Sequence, residues 1–136
     1  MVADDRVSLS RSGEELIGTG VAPLGHFMEI RGLGVIHAGD LFGQAAVVEF
    51  ARVDLVVELA DWSKAPLADR TGLDSHTAEI LGLQVSHILL PVRPGRNIAT
   101  IIEVAVRNQI LRQRGINSAE RFDELVLAGL RGLPEE

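Results

Sequence analysis

The 136 residues carry 46% hydrophobic and 24% charged side chains and a net charge of -6, a balance that fits one folded globular domain spanning 1–136, and they hold no like-charge run or low-complexity tract that would argue disorder. Twelve of the thirteen basic residues are arginine, Lys64 being the single lysine, and they are scattered without interleaved aromatics, which argues against nucleic-acid binding, where phosphate neutralisation supplies most of the affinity. The absence of cysteine excludes disulfides, thiolate metal sites and cysteine nucleophiles, and no apolar run approaches the ~20 residues that span a bilayer, so a cytoplasmic protein with no membrane contact is expected.

The first third is glycine-rich and reads as short strands and turns. Arg6 to Ser10 alternates with Val7 and Leu9 on one face, Ser12-Gly13 forms a turn and Glu15 to Gly18 returns, which predicts a β-hairpin. Glu29 stands between Met28 and Ile30, so strand alternation puts the carboxylate on the opposite face from its apolar neighbours. Asp40 is expected to be the N-cap of a short helix through Leu41 and Phe42. Val53 to Leu59 is β-branched enough for a strand that ends near Trp62. Ser63 to His76, with Pro66, Asp69, Arg70 and Gly72, reads as a long loop, and Thr77 to Leu90 returns to strand-like apolar density. Asn97 is a good N-cap for a helix with Ile98, Ile101, Ile102, Ala105, Val106 and Ile110 at helical spacing, and Gly115 closes it. Asn117 and Glu120 have the form of a capping box for a second amphipathic helix through Phe122, Leu125, Val126, Leu130 and Leu133.

Several residue groups have the chemistry of a site. Asp4-Asp5 beside the hairpin can hold Mg²⁺ or take a hydroxyl proton, although on residue type alone a solvated acidic stretch fits better. Glu29 can reach a metal if its strand floors a cleft, with Gly32 and Gly34 letting backbone amides approach phosphate; a surface Glu before a glycine turn is the alternative. Arg93 and Arg96 bracket Pro94-Gly95 just before a helix N-terminus, which makes either an anion site or a plain turn with solvated arginines. The four histidines lack metal-ligand spacing and read as structural. No Gly-x-x-x-x-Gly-Lys-Ser/Thr phosphate loop occurs, and Gly18-Thr19-Gly20 fails as a dinucleotide fingerprint because Pro23 replaces the third glycine.

Val2-Ala3-Asp4-Asp5, His26 to Gly34, Leu41-Phe42-Gly43, Asp69-Arg70, Pro91 to Asn97, Ile102-Glu103-Val104-Ala105 and Gly115 with Asn117 and Ala119 follow one another in the order of a known family. From Val2 to about Phe122 the chain resembles HPr kinase/phosphorylase, a bacterial enzyme that phosphorylates and dephosphorylates a serine of the sugar-transport phosphocarrier HPr. The resemblance implies an α/β fold: part of a P-loop kinase-like, phosphoenolpyruvate carboxykinase-related mixed sheet, with a β-rich N-terminal portion and two C-terminal helices. It implies Asp4 and Asp5 as the acidic pair for metal binding and hydroxyl activation, Glu29 and Asp5 at Mg²⁺, and Arg70 in the loop serving the phosphorylase reaction. Arg31, Gly32, Gly34, Arg93, Gly95, Arg96 and Asn97 would bind phosphate or the partner. ATP as nucleotide, HPr as partner and a homo-oligomer, a hexamer in the family, complete the expectation.

In that family a P-loop and its helix precede the Asp-Asp strand, whereas this chain opens at Met1 directly before Val2. Two readings follow: a piece of an HPr kinase/phosphorylase whose nucleotide cradle lies outside these residues, or a non-enzymatic HPr-binding or oligomerisation module derived from the fold. In both, kinase turnover by these residues alone is expected to be negligible, and a sheet edge left unpaired favours association.

Overall fold

The computed structural model describes residues 1–61, 63, 76–95 and 97–132. The chain forms β1 (Val7–Ser12), β2 (Glu15–Gly20), β3 (Phe27–Ile30), β4 (Gly34–His37), α1 (Ala38–Phe42), a 3-10 turn at Gln44–Ala46, β5 (Phe50–Arg52), β6 (Leu55–Asp61), β7 (His76–Ile80), β8 (Leu83–Val92), α2 (Ile98–Gln113) and α3 (Ser118–Arg131). A β-rich N-terminal portion followed by two helices is the expected mixed α/β order. The fold separates into two compact units, Met1–Asp54 with Glu79–Val85, and Leu55–Ala78 with Ser86–Glu136.

In the first unit β1, β2 and β5 form an antiparallel sheet with β2 in the middle, and β3 and β4 form a separate two-stranded ribbon. The expected hairpin is present, with its turn at Gly13-Glu14 and with Ser12 paired to Glu15. Leu16 on β2 is fully buried, and among the described residues of this unit Ala38, Leu83 and Val85 are buried with it. Arg11 fastens the hairpin turn by donating to the carbonyls of Gly13 at 2.8 Å and Leu81 at 3.2 Å.

Four boundaries differ from the sequence reading, each for a local reason. Asp40 is not the cap of α1; His37 is, because its Nδ1 accepts the Asp40 N–H at 3.2 Å and the helix starts two residues earlier than Asp40. The strand expected from Val53 is divided: β5 pairs with β2 and β6 with β8, and Val53 lies between them, donating its N–H to Leu16 at 2.8 Å. The apolar stretch after Thr77 is two strands, because Leu81 and Gly82 turn the chain with φ of 50° and 80°. Successive positive φ values suit a tight hairpin turn, and the leucine there stands in the left-handed region that favours glycine. The loop expected over Ser63 to His76 lies almost wholly outside the described residues, and His76 opens β7.

In the second unit β6 runs parallel to β8, with Leu55 opposite Ser86 through Asp61 opposite Val92. His87 Nε2 on β8 lies 2.9 Å from Glu58 Oε2 on β6, a cross-strand hydrogen bond between a largely covered imidazole and an exposed carboxylate. The helix caps are as read: Asn97 Oδ1 accepts from Thr100 N–H, Asn117 Oδ1 accepts from Ala119 and Glu120 N–H, and Gly115 leaves α2 with φ of 84°. Neither helix contains a buried residue, and Phe122, Leu125 and Leu130 on α3 are exposed by 61–70%.

Candidate functional site

Two groups of predicted residues have definite positions, one in each unit. In the first, Asp4-Asp5 precedes β1 and both carboxylates are exposed. The Asp4 Oδ2 accepts the backbone N–H of Glu29 at 3.4 Å, so the acidic pair lies against β3. Glu29 is itself exposed, sits opposite Val35 on β4 and is followed by a three-residue turn in which Leu33 N–H bonds the Ile30 carbonyl at 3.0 Å. Gly32 and Gly34 hold φ of 84° and 109°, values that other residues reach only with strain, and this backbone conformation accounts for the glycines, since an added Cβ would meet nothing at either position. Arg31 is exposed on that turn.

A cavity of about 200 Å³ lies beside this group, bordered by Val2, Gly20, Pro23, His26, His37 and Glu49. Three main chains converge there: a Cβ on Gly20 would stand 2.8 Å from Gly25 Cα and 3.1 Å from the Val2 carbonyl oxygen. His26 Nε2 lies 3.1 Å from the Val48 carbonyl and His37 caps α1 while packing edge-on against Phe27 at 4.9 Å between centroids. The His37 cap fixes Nδ1 as an acceptor, so the neutral ring carries its proton on Nε2. Among the described residues no group of three or more His, Asp or Glu side chains is placed to hold a metal.

In the second unit β6 and β8 end side by side at Asp61 and Val92. Arg93, Pro94 and Gly95 follow, Gly95 with φ of 87°, and Asn97 then caps α2. The strand ends, this loop and Ile98 border an open depression of about 520 Å³. Ligands of open α/β sheets bind outside the carboxyl ends of parallel strands, and the first amides of a helix favour anions, so the loop stands where such a fold places chemistry. Arg70 and Arg96 lie outside the described residues.

Sequence reasoning missed Asp61. Its Oδ1 accepts from Ser63 N–H at 3.0 Å and from Ser63 Oγ at 2.8 Å, and these bonds, side chain first, hold the carboxyl below its ordinary range. The Asp-x-Ser spacing at the end of an apolar run was the available signal.

The family model described as HPr Serine kinase C-terminal domain matches residues 1–126. The chain belongs to that family. It is 44% identical over 135 residues to the HPr kinase/phosphorylase of Geobacter sulfurreducens, covering 98% of this chain and 42% of that protein. It is 41% identical over 131 residues to the HPr kinase/phosphorylase of Bacillus mycoides, covering 96% and 42%. The solved structure of the Hpr(Ser) kinase/phosphatase from Coxiella burnetii superposes with a TM-score of 0.78 at 36% identity, covering 90% of this chain and 74% of that one. The architecture is therefore that of the P-loop kinase-like fold of this family. The chain spans about two fifths of the length of these curated relatives.

Proposed function

We propose that this chain supplies the acidic, metal-side and partner-side portion of an HPr kinase/phosphorylase: ATP-dependent phosphorylation of a serine of HPr, and its phosphorolysis, in the control of carbon metabolism. The observation that carries the reading is the hydrogen bond from Glu29 N–H to Asp4, which joins the two acidic tracts of the sequence at one place. The relatives named for both activities align along nearly the whole chain.

In the forward reaction one carboxylate of the Asp4-Asp5 pair accepts the proton of the seryl hydroxyl as its oxygen attacks the γ-phosphorus, and ADP leaves. In the reverse reaction an oxygen of inorganic phosphate attacks the phosphoserine phosphorus. The P–O bond to serine breaks, the proton returns to the seryl oxygen and pyrophosphate is released. Arg70 is assigned to this second reaction. Arg31, Gly32 and Gly34 on one unit, and Arg93, Gly95, Arg96 and Asn97 on the other, are assigned to phosphate or to the docked partner.

Magnesium fits the donors present. Carboxylate oxygens are hard ligands, and Mg²⁺ takes one or two of them while water and substrate phosphates fill its shell, so a three-residue cluster is not required. Asp5 and Glu29 would hold it, and it would neutralise charge on the phosphates during transfer.

No phosphate loop occurs within the 136 residues, so these residues contain neither the amide nest nor the lysine that support a transferred phosphoryl group. The exposed apolar side chains Phe122, Leu125 and Leu130 of α3 suit a second reading, a non-enzymatic module that binds HPr or assembles with its own copies. Labelled-phosphate transfer from ATP to HPr separates the two. The chain alone should transfer negligibly; joined to a phosphate-loop segment of the form Gly-x-x-x-x-Gly-Lys-Ser it should label HPr, and Asp5→Asn should abolish the labelling. A joined protein that folds and binds both ATP and HPr yet transfers nothing would overturn the enzymatic reading.

A further inference from the structure

In the first unit, α1 begins at an uncommon cap. Serine, threonine, aspartate and asparagine lead at that position because their short side chains keep an oxygen acceptor throughout the neutral pH range. Here the acceptor is His37 Nδ1, 3.2 Å from the Asp40 N–H, and an imidazole nitrogen accepts only while it lacks a proton. Histidine is the one side chain whose ordinary titration falls between about pH 5 and 8. The hydrogen bond that starts α1 is therefore conditional on the charge of its own cap.

The surroundings decide what replaces it. Asp40 Oδ1 lies 3.7 Å from the same Nδ1. Protonation turns Nδ1 into a donor, so its attraction passes from the backbone N–H of Asp40 to the carboxylate of Asp40, and the N–H is left facing another N–H. The ring has little room to turn away, since a Cβ on Gly39 would stand 3.0 Å from His37 Cε1 and Phe27 packs against the ring edge-on at 4.9 Å. The other titratable groups around it are His26, with ring centroids 6.0 Å apart, and Glu49, which borders the same cavity. Gln44, which also packs on Gly39, brings no charge, and the Met1 amine donates to the Ala46 carbonyl on the adjoining 3-10 turn.

His37 also closes the β3–β4 ribbon. It pairs with Phe27 at the ribbon's end, and the Ala38 N–H donates to the His26 carbonyl at 2.9 Å, so the start of α1 is stitched to the start of β3. Glu29 stands two pairs further along the same ribbon, opposite Val35.

We propose that His37 is a pH-sensitive latch on this ribbon. Neutral, it holds the first turn of α1 through the Asp40 N–H; protonated, it releases that N–H, takes the Asp40 carboxylate instead and loosens the end of the ribbon that bears Glu29. The latch is independent of the proposed reaction.

Amide hydrogen exchange followed by NMR on the full chain tests it. The protection factor of the Asp40 N–H, which already corrects for the intrinsic pH dependence of exchange, should fall about 5- to 10-fold between about pH 7.5 and 5.5, and the Ala38 N–H should follow it. His37→Asn, whose oxygen accepts across this range, should keep both protection factors level. Asp40→Asn removes the carboxylate that receives the protonated ring and should move the midpoint to lower pH. Protection at Asp40 that stays constant in the parent, or that falls equally in H37N, would overturn the latch. If H37N does not fold, the parent decides: the ring-nitrogen shifts of His37 should titrate with the midpoint of the Asp40 protection, and two separate midpoints would overturn it.

Discussion

Asp4 and Glu29, 25 residues apart in the chain, meet through a hydrogen bond from the Glu29 backbone N–H to Asp4 Oδ2 at 3.4 Å. The bond uses the main chain of Glu29 and leaves its carboxylate uncommitted to Asp4. The acidic side chains near this junction should therefore share one metal ion. With Mn²⁺ as a paramagnetic probe, the amide signals of Asp4, Asp5 and Glu29 should broaden first, and the double variant Asp5→Asn, Glu29→Gln should require at least about tenfold more Mn²⁺. Uniform broadening along the chain would sink the assignment.

The two asparagine caps should carry measurable stability. Asn97→Ala and Asn117→Ala each remove the acceptor for first-turn N–H groups, Thr100 in one helix and Ala119 and Glu120 in the other. Each should lower the unfolding free energy by about 1 kcal/mol in urea titrations, with Asn→Ser recovering most of the loss.

How much could be read in advance depended on the range of the forces. The two asparagine caps and the first hairpin were legible because an asparagine side chain reaches only its own first turn, and a hairpin pairs neighbours in sequence. β5 was not, since Phe50–Arg52 is three exposed residues, too short to show a period. The Leu81-Gly82 turn was hidden because leucine in the left-handed region contradicts its own preference. Glu29 was picked out by residue type beside glycines, but its junction with Asp4 is a tertiary contact that no spacing encodes. Asp61 was not legible because a single carboxylate at a strand end has no period of its own, and its bonds to Ser63 resemble those of an ordinary turn.

Asp61 makes a specific demand on pH. Its folded-state carboxyl is held below the ordinary value by the Ser63 side-chain and backbone bonds. A depressed pKa contributes stability that is present above the unfolded value, about pH 3.9, and is lost as pH falls through the lower folded value. Ser63→Ala should therefore leave unfolding at pH 7 slightly easier, with the difference from the parent vanishing toward pH 2. A difference that grew on acidification would contradict the sign.

Gly20→Ala should destabilise the first unit. The added methyl would meet Gly25 Cα at 2.8 Å and the Val2 carbonyl at 3.1 Å, both main-chain atoms that cannot swing aside. A cost of about 1–3 kcal/mol is expected from such overpacking, read as a lower urea midpoint, whereas Gly129→Ala, which meets nothing within 4 Å, should show no such loss.

The convergence of Val2, Gly20 and Gly25 gives the acidic pair a particular kind of vulnerability. Asp4 follows two residues after a backbone position fixed by contact with other backbone, so its placement owes little to the size of any nearby side chain. Conservative changes among the surrounding apolar residues can accumulate without moving the carboxylates. A single methyl at Gly20 can displace both of them at once.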